Sequence, residues 1–108
     1  MTASDDKPVV VVATFRPLPA SRTRAIDALR EAAARVHAEP GCELYALHEA
    51  EDRLVLVEKW SSAEALGVHG KAPALQDLNE ALDGLLSEPV DIAVLSALPA
   101  GDPSAGAL

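Results

Sequence analysis

The stretch Leu54-Val-Leu-Val-Glu-Lys-Trp60-Ser-Ser-Ala-Glu-Ala-Leu-Gly-Val-His69 decides how this chain folds. Its first half is a strand, begun at Arg53, with Leu54, Leu56, Glu58 and Trp60 on one face and Arg53, Val55, Val57 and Lys59 on the other. Two serines end it. Ser61-Ser-Ala-Glu64 has the form of a capping box, with Ser61 at the cap and Glu64 three residues on, so a short helix follows and ends near Gly67 to Gly70. His69 closes that helix. The junction brings Trp60 and His69 near one another, which makes it a candidate site. Glu58 is the unusual residue, because a carboxylate sharing a face with leucines and a tryptophan needs a partner.

Working outward, Cys42-Glu-Leu-Tyr-Ala-Leu-His-Glu49 reads as the strand preceding this one, joined to it by a hairpin around Glu51-Asp52. Before it, Ser21 caps a helix running to about Ala38, with Ile26, Leu29, Ala33 and Val36 on its apolar face. His37 and Glu39 close that helix, and Pro40-Gly41 turns the chain. Earlier still, Val9-Val-Val-Val-Ala-Thr-Phe15 is a β-branched run that reads as a strand buried on both faces, stopped by Pro17 and Pro19. Downstream, Pro73 opens a helix with Leu75, Leu78, Leu82 and Leu85 or Leu86 as its stripe. Pro89 ends it, and Val90 to Leu98 forms the last strand.

The order strand, helix, strand, strand, helices, strand is that of an α+β protein. It predicts a ferredoxin-like βαββαβ split sandwich with helices on one face of an antiparallel sheet. Residues 1–8 read as a disordered leader, 9–98 as a single domain and 99–108 as a flexible tail. Helices on one side leave the other sheet face bare. Valine-rich strands call for cover there, so a homodimer is expected.

Composition narrows the function. The net charge of −8 excludes the phosphate-neutralising surface that nucleic-acid binding demands. Cys42 is the only cysteine, so neither an internal disulfide nor a paired-cysteine zinc site is available. No apolar run approaches the ~20 residues of a membrane helix, and Met1 to Lys7 is too polar for a signal peptide. A cytoplasmic location without membrane partners is expected. One Trp, one Tyr and one Phe are the only rings in an aliphatic core, apart from the histidines, which makes each worth locating.

Glu39-Pro-Gly-Cys-Glu-Leu-Tyr45, then Val57-Glu-Lys-Trp60, Ala63-Glu-Ala65, His69 and Pro73, resembles the antibiotic biosynthesis monooxygenase family, from about Val9 to Leu95. The resemblance implies a dimeric α/β barrel with a pocket between sheet and helices in each subunit. It further implies oxidation of a small aromatic or quinol substrate by dioxygen, with no cofactor and no metal, so that the substrate supplies the electrons. Many members carry a second histidine directly after the proline, where this chain has Ala74. The related haem-degrading branch relies on an asparagine and a histidine at places taken here by Phe15 and the stripe around Leu78, so haem degradation is disfavoured.

Against that background His69 is the candidate proton shuttle, since an imidazole of pKa ~6.5 accepts and returns a proton near neutrality; the alternative is a packed ring bonded to a carbonyl. Trp60, Tyr45, Glu58, His48 and Phe15 are candidate substrate-binding residues. Trp60 either stacks on a planar ligand or belongs to the core, and Glu58 either orients His69 or pairs with a cation. His48 either lines the cavity or sits at the sheet edge. A non-catalytic dimeric module for a small apolar ligand is the competing function.

Overall fold

In a computed structural model that describes residues 7–108, four strands and three helices follow the expected order. They are β1 (Val9–Phe15), α1 (Arg22–Val36), β2 (Cys42–Glu49), β3 (Leu54–Trp60), α2 (Ala63–His69), α3 (Pro73–Leu82) and β4 (Asp91–Ser96). The first six residues of the expected leader lie outside the described residues. The sheet is antiparallel in the order β2-β3-β1-β4, which is the ferredoxin-like arrangement.

Register fixes which side chains meet. Val11 pairs with Glu58 and Val94, Ala13 with Leu56 and Ile92, and Tyr45 with Glu58. Because successive side chains alternate, these residues share the sheet face that the helices cover. Leu54, Leu56, Glu58 and Trp60 are all buried there, as the alternation of β3 requires. Val11, Ala13 and Phe15 join them, with Ala25, Leu29, Ala32 and Val36 of α1 and Ala74, Leu78 and Leu82 of α3 above.

Several local expectations change. β1 is buried on one face only, since Val10 and Val12 point away from the helices and are half-buried. Its valines reflect β-propensity as much as burial. Leu29 and Val36 of the expected α1 stripe are fully buried, but Ala25 and Ala32 complete it, whereas Ile26 and Ala33 pack at the margin. Alanine in the centre lets α1 approach the sheet and α3 closely. Ser21 stands at the head of α1 without a side-chain capping bond.

The second helix is capped by Ser62, not Ser61. The Ser62 hydroxyl accepts from the Ala65 backbone N–H at 3.1 Å. Ser61 instead donates its backbone N–H to the Gly41 carbonyl at 2.8 Å, which bolts the turn after α1 onto the β3–α2 junction. That turn needs glycine twice over. Gly41 has φ +81°, and a Cβ there would lie 2.5 Å from Ala65 Cβ and 2.7 Å from Ser61 Oγ.

Candidate active site

The bolted turn carries Glu39 into the space beside α2, and there it meets His69. The imidazole Nδ1 lies 2.8 Å from Glu39 Oε1. A carboxylate only accepts, so Nδ1 carries the hydrogen and a neutral ring keeps its lone pair on Nε2. The other oxygen of Glu39, Oε2, is buried with no hydrogen-bond partner among the described residues, so the carboxylate is committed to the histidine. This is the geometry in which a carboxylate fixes the tautomer and heading of a proton-transfer imidazole.

Behind the ring stands Trp60, fully buried, its indole stacked on the imidazole at 4.5 Å between centroids and 28° between planes. Its N–H donates to Glu58 Oε1 at 2.9 Å. Tyr45 meets the edge of His69 at 5.7 Å, and its own carbonyl accepts from His37 Nε2 at 2.9 Å. One histidine is thus held on three sides, by the turn after α1, the middle of β2 and the end of β3.

Its open side faces a cavity of about 320 Å³ between the sheet and the second and third helices. Val11, Ala13, Phe15, Leu56, Leu66 and Leu78 form apolar walls, and Tyr45, Glu58, His69 and Asn79 supply the polar side chains. The volume falls in the range of small-molecule sites, as does the pattern of apolar walls with few polar groups. On the outer side Ile92 and Val94 of β4 complete the wall while remaining about 60% exposed.

Burial sets the ionisation of the polar lining. The Glu58 carboxyl is raised above the usual glutamate range first by desolvation, with Glu39 pushing the same way; the Trp60 N–H and the His69 ring pull it back. Tyr45 is pushed well above the ordinary phenol value by burial and then by Glu58 and Glu39, so its hydroxyl stays neutral. Cys42 is raised by burial and by the same two carboxylates, which leaves it a thiol and no nucleophile.

Of the residues singled out from sequence, His69, Tyr45, Glu58 and Phe15 line one cavity. Trp60 does not reach it; the indole packs behind His69. His48 pairs with Val55, which puts it on the opposite sheet face, exposed on the edge strand β2. Glu58 bonds Trp60, and the partner of His69 is Glu39. Glu39 lies thirty positions from His69 in the chain and reads in sequence as a helix terminator, with only the following Pro-Gly to mark a constrained turn. Ala74 is buried beside Ala28 and Ala32 in a cleft between α1 and α3, away from the cavity.

Fold and site together define a ferredoxin-like α+β protein with a cavity lined by a carboxylate-held histidine. The chain belongs to the antibiotic biosynthesis monooxygenase family, whose sequence model matches residues 8–81. It is 38% identical over 94 residues to "Putative monooxygenase Rv0793" of Mycobacterium tuberculosis, covering 84% of this chain and 92% of that one. The solved structure of Rv0793 superposes with a TM-score of 0.83 at 33% identity, over 89% of this chain and all of that one. PA3566 of Pseudomonas aeruginosa gives 0.79 at 26%, over 87% of this chain and 97% of its own.

Proposed function

We propose that this protein is a cofactor-independent monooxygenase that oxidises a small aromatic or quinol substrate with dioxygen. The observation that carries the reading is the Glu39–His69 pair, 2.8 Å apart, at the edge of an apolar cavity of about 320 Å³. In this mechanism Nε2 of His69 accepts the proton of a substrate hydroxyl, and Glu39 stabilises the imidazolium that forms. The resulting aryloxide gives one electron to dioxygen. Recombination at a ring carbon forms the C–O bond; loss of the hydrogen on that carbon with cleavage of the O–O bond then yields a quinone and water. A phenol and one dioxygen thus balance against one quinone and one water, and the substrate anion is the source of electrons.

The test is oxygen uptake with a panel of phenols and hydroquinones. His69→Ala is expected to lower kcat/KM by about 10²–10⁴-fold, the usual contribution of a positioned base. Equal rates in both proteins would remove His69 from the mechanism, and no uptake across the panel would favour a ligand-binding module without catalysis. Ala74 favours that second reading only weakly, because position 74 faces α1 and a histidine there would not enter the cavity.

The reading includes a homodimer. Val10, Val12, Ala46, Val57 and Leu95 make an apolar sheet face that no helix of the described residues covers, and Leu95 is 45% exposed. Sedimentation of the wild type at micromolar concentration should give a dimer, and Leu95→Glu should shift it toward monomer. A wild-type monomer would sink this part of the proposal.

A further inference from the structure

Glu58 is the one buried carboxyl lining the cavity, and proton transfer by His69 has no use for it. We infer that it makes the cavity a filter for charge: the site admits uncharged phenols and hydroquinones of about two fused rings and rejects congeners bearing a carboxylate or phosphate. The inference rests on the cavity being the substrate site, as proposed above.

Size sets the first half. A dry cavity of about 150 Å³ holds one benzene ring, so about 320 Å³ matches two fused rings with their hydroxyls. The second half follows from the charges. No lysine or arginine lines the cavity among the described residues. Arg16, Arg22, Arg35 and Lys59 are engaged on the surface with Asp52, Glu49, Asp77 and Glu43, and the exposed Lys71, next to Gly70 of the lining, does not itself line the cavity. An anionic ligand would therefore enter without a counterion.

It would also meet a carboxylate in the wall. Glu58 is 4% exposed and lines the wall, and the indole N–H of Trp60 at 2.9 Å restrains it from swinging away. His69 offers no compensating charge, because even a protonated ring is balanced by Glu39 at 2.8 Å. In a low-dielectric site such like-charge contacts are far stronger than in water. A neutral hydroxyl meets the opposite response, since Glu58 accepts its hydrogen bond. One side chain thus both receives the right ligand and repels the wrong one.

The comparison uses two ligands of nearly equal shape, 6-hydroxy-2-naphthamide and 6-hydroxy-2-naphthoate, titrated calorimetrically into the full chain at pH 8 without dioxygen. The amide is expected to bind at least tenfold more tightly than the acid, a gap of about 1.4 kcal/mol. In Glu58→Gln, which keeps an oxygen for the indole N–H, the gap should shrink to threefold or less. Equal dissociation constants in the wild type, an unchanged gap in a folded Glu58→Gln, or no binding of either ligand would each overturn the filter. The wild-type comparison stands even if the variant fails to fold. Selective binding together with no oxygen uptake on any substrate would remove the oxygenase reading and leave the filter in place.

Discussion

Replacing Trp60 by phenylalanine tests the packing behind the histidine. Trp60 is fully buried, and its N–H is the only donor to Glu58 Oε1 among the described residues. The smaller ring leaves a void worth roughly 1–2 kcal/mol. It also strips a buried carboxylate of a hydrogen bond, which costs roughly 1.5–3 kcal/mol when the acceptor is charged and about 0.5–1.5 when it is neutral. The loss at pH 8 should therefore be roughly 2.5–5 kcal/mol, a large share of a small domain's stability.

The pH dependence carries the sign. Folding raises the Glu58 carboxyl above its ordinary value, so the native state holds that proton to higher pH than the unfolded chain. This group's contribution is full below the unfolded value, about 4.3, and is lost as pH rises through the raised one. Removing the Trp60 donor raises the carboxyl further, which extends the loss to higher pH. The deficit of Trp60→Phe against wild type should thus be about 1–2 kcal/mol smaller at pH 4 than at pH 8. Urea unfolding followed by circular dichroism is the assay, because the variant has no tryptophan left. In a Glu58→Gln background the deficit should no longer vary with pH. A deficit that is constant with pH in the Glu58 protein would refute the reasoning.

Three further outcomes follow from geometry already described. Ser62→Ala should cost about 1 kcal/mol in thermal or urea unfolding, and Ser61→Ala distinctly less, because only Ser62 caps α2. Gly41→Ala should destabilise by roughly 1–3 kcal/mol, since the added methyl meets both a positive φ and the Ala65 side chain; a neutral result would mean that the turn is looser than its contacts indicate. Glu39→Gln should lower kcat with little change in KM and alter the pH profile of kcat, as a residue that positions an imidazole does. An equal loss in KM alone would make Glu39 structural.

Sequence and structure agree best where periodicity is strong. The alternation Leu54, Leu56, Glu58, Trp60 named the buried face of β3, and with it the face of the whole sheet, because strand register propagates that choice to β1 and β2. Neighbouring serines are another matter. Ser61 and Ser62 both satisfy capping chemistry, and the choice falls to Ser62 because the backbone of Ser61 is taken by Gly41. The partner of His69 was illegible for the same reason: Glu39 reaches it through a turn pinned by long-range contacts. Nor does local sequence separate a tryptophan that stacks on a ligand from one that stacks on the residue facing it. The alanines of α1 were legible as helix formers, but their place at the contact depends on how closely that helix can settle.

The wall formed by β4 has a consequence for access. That strand is an edge, hydrogen-bonded to β1 alone, and every residue from Asp91 to Ser96 is exposed in the described chain. Opposite it, Val11, Ala13, Phe15, Leu56 and Leu78 belong to the buried core. Ile92 and Val94 belong instead to the part of the molecule whose local unfolding costs least. The cavity therefore has a rigid interior and one yielding side. For the ligand proposed above, fraying of this single strand would open a way in while Glu39, His69 and Trp60 stay in register.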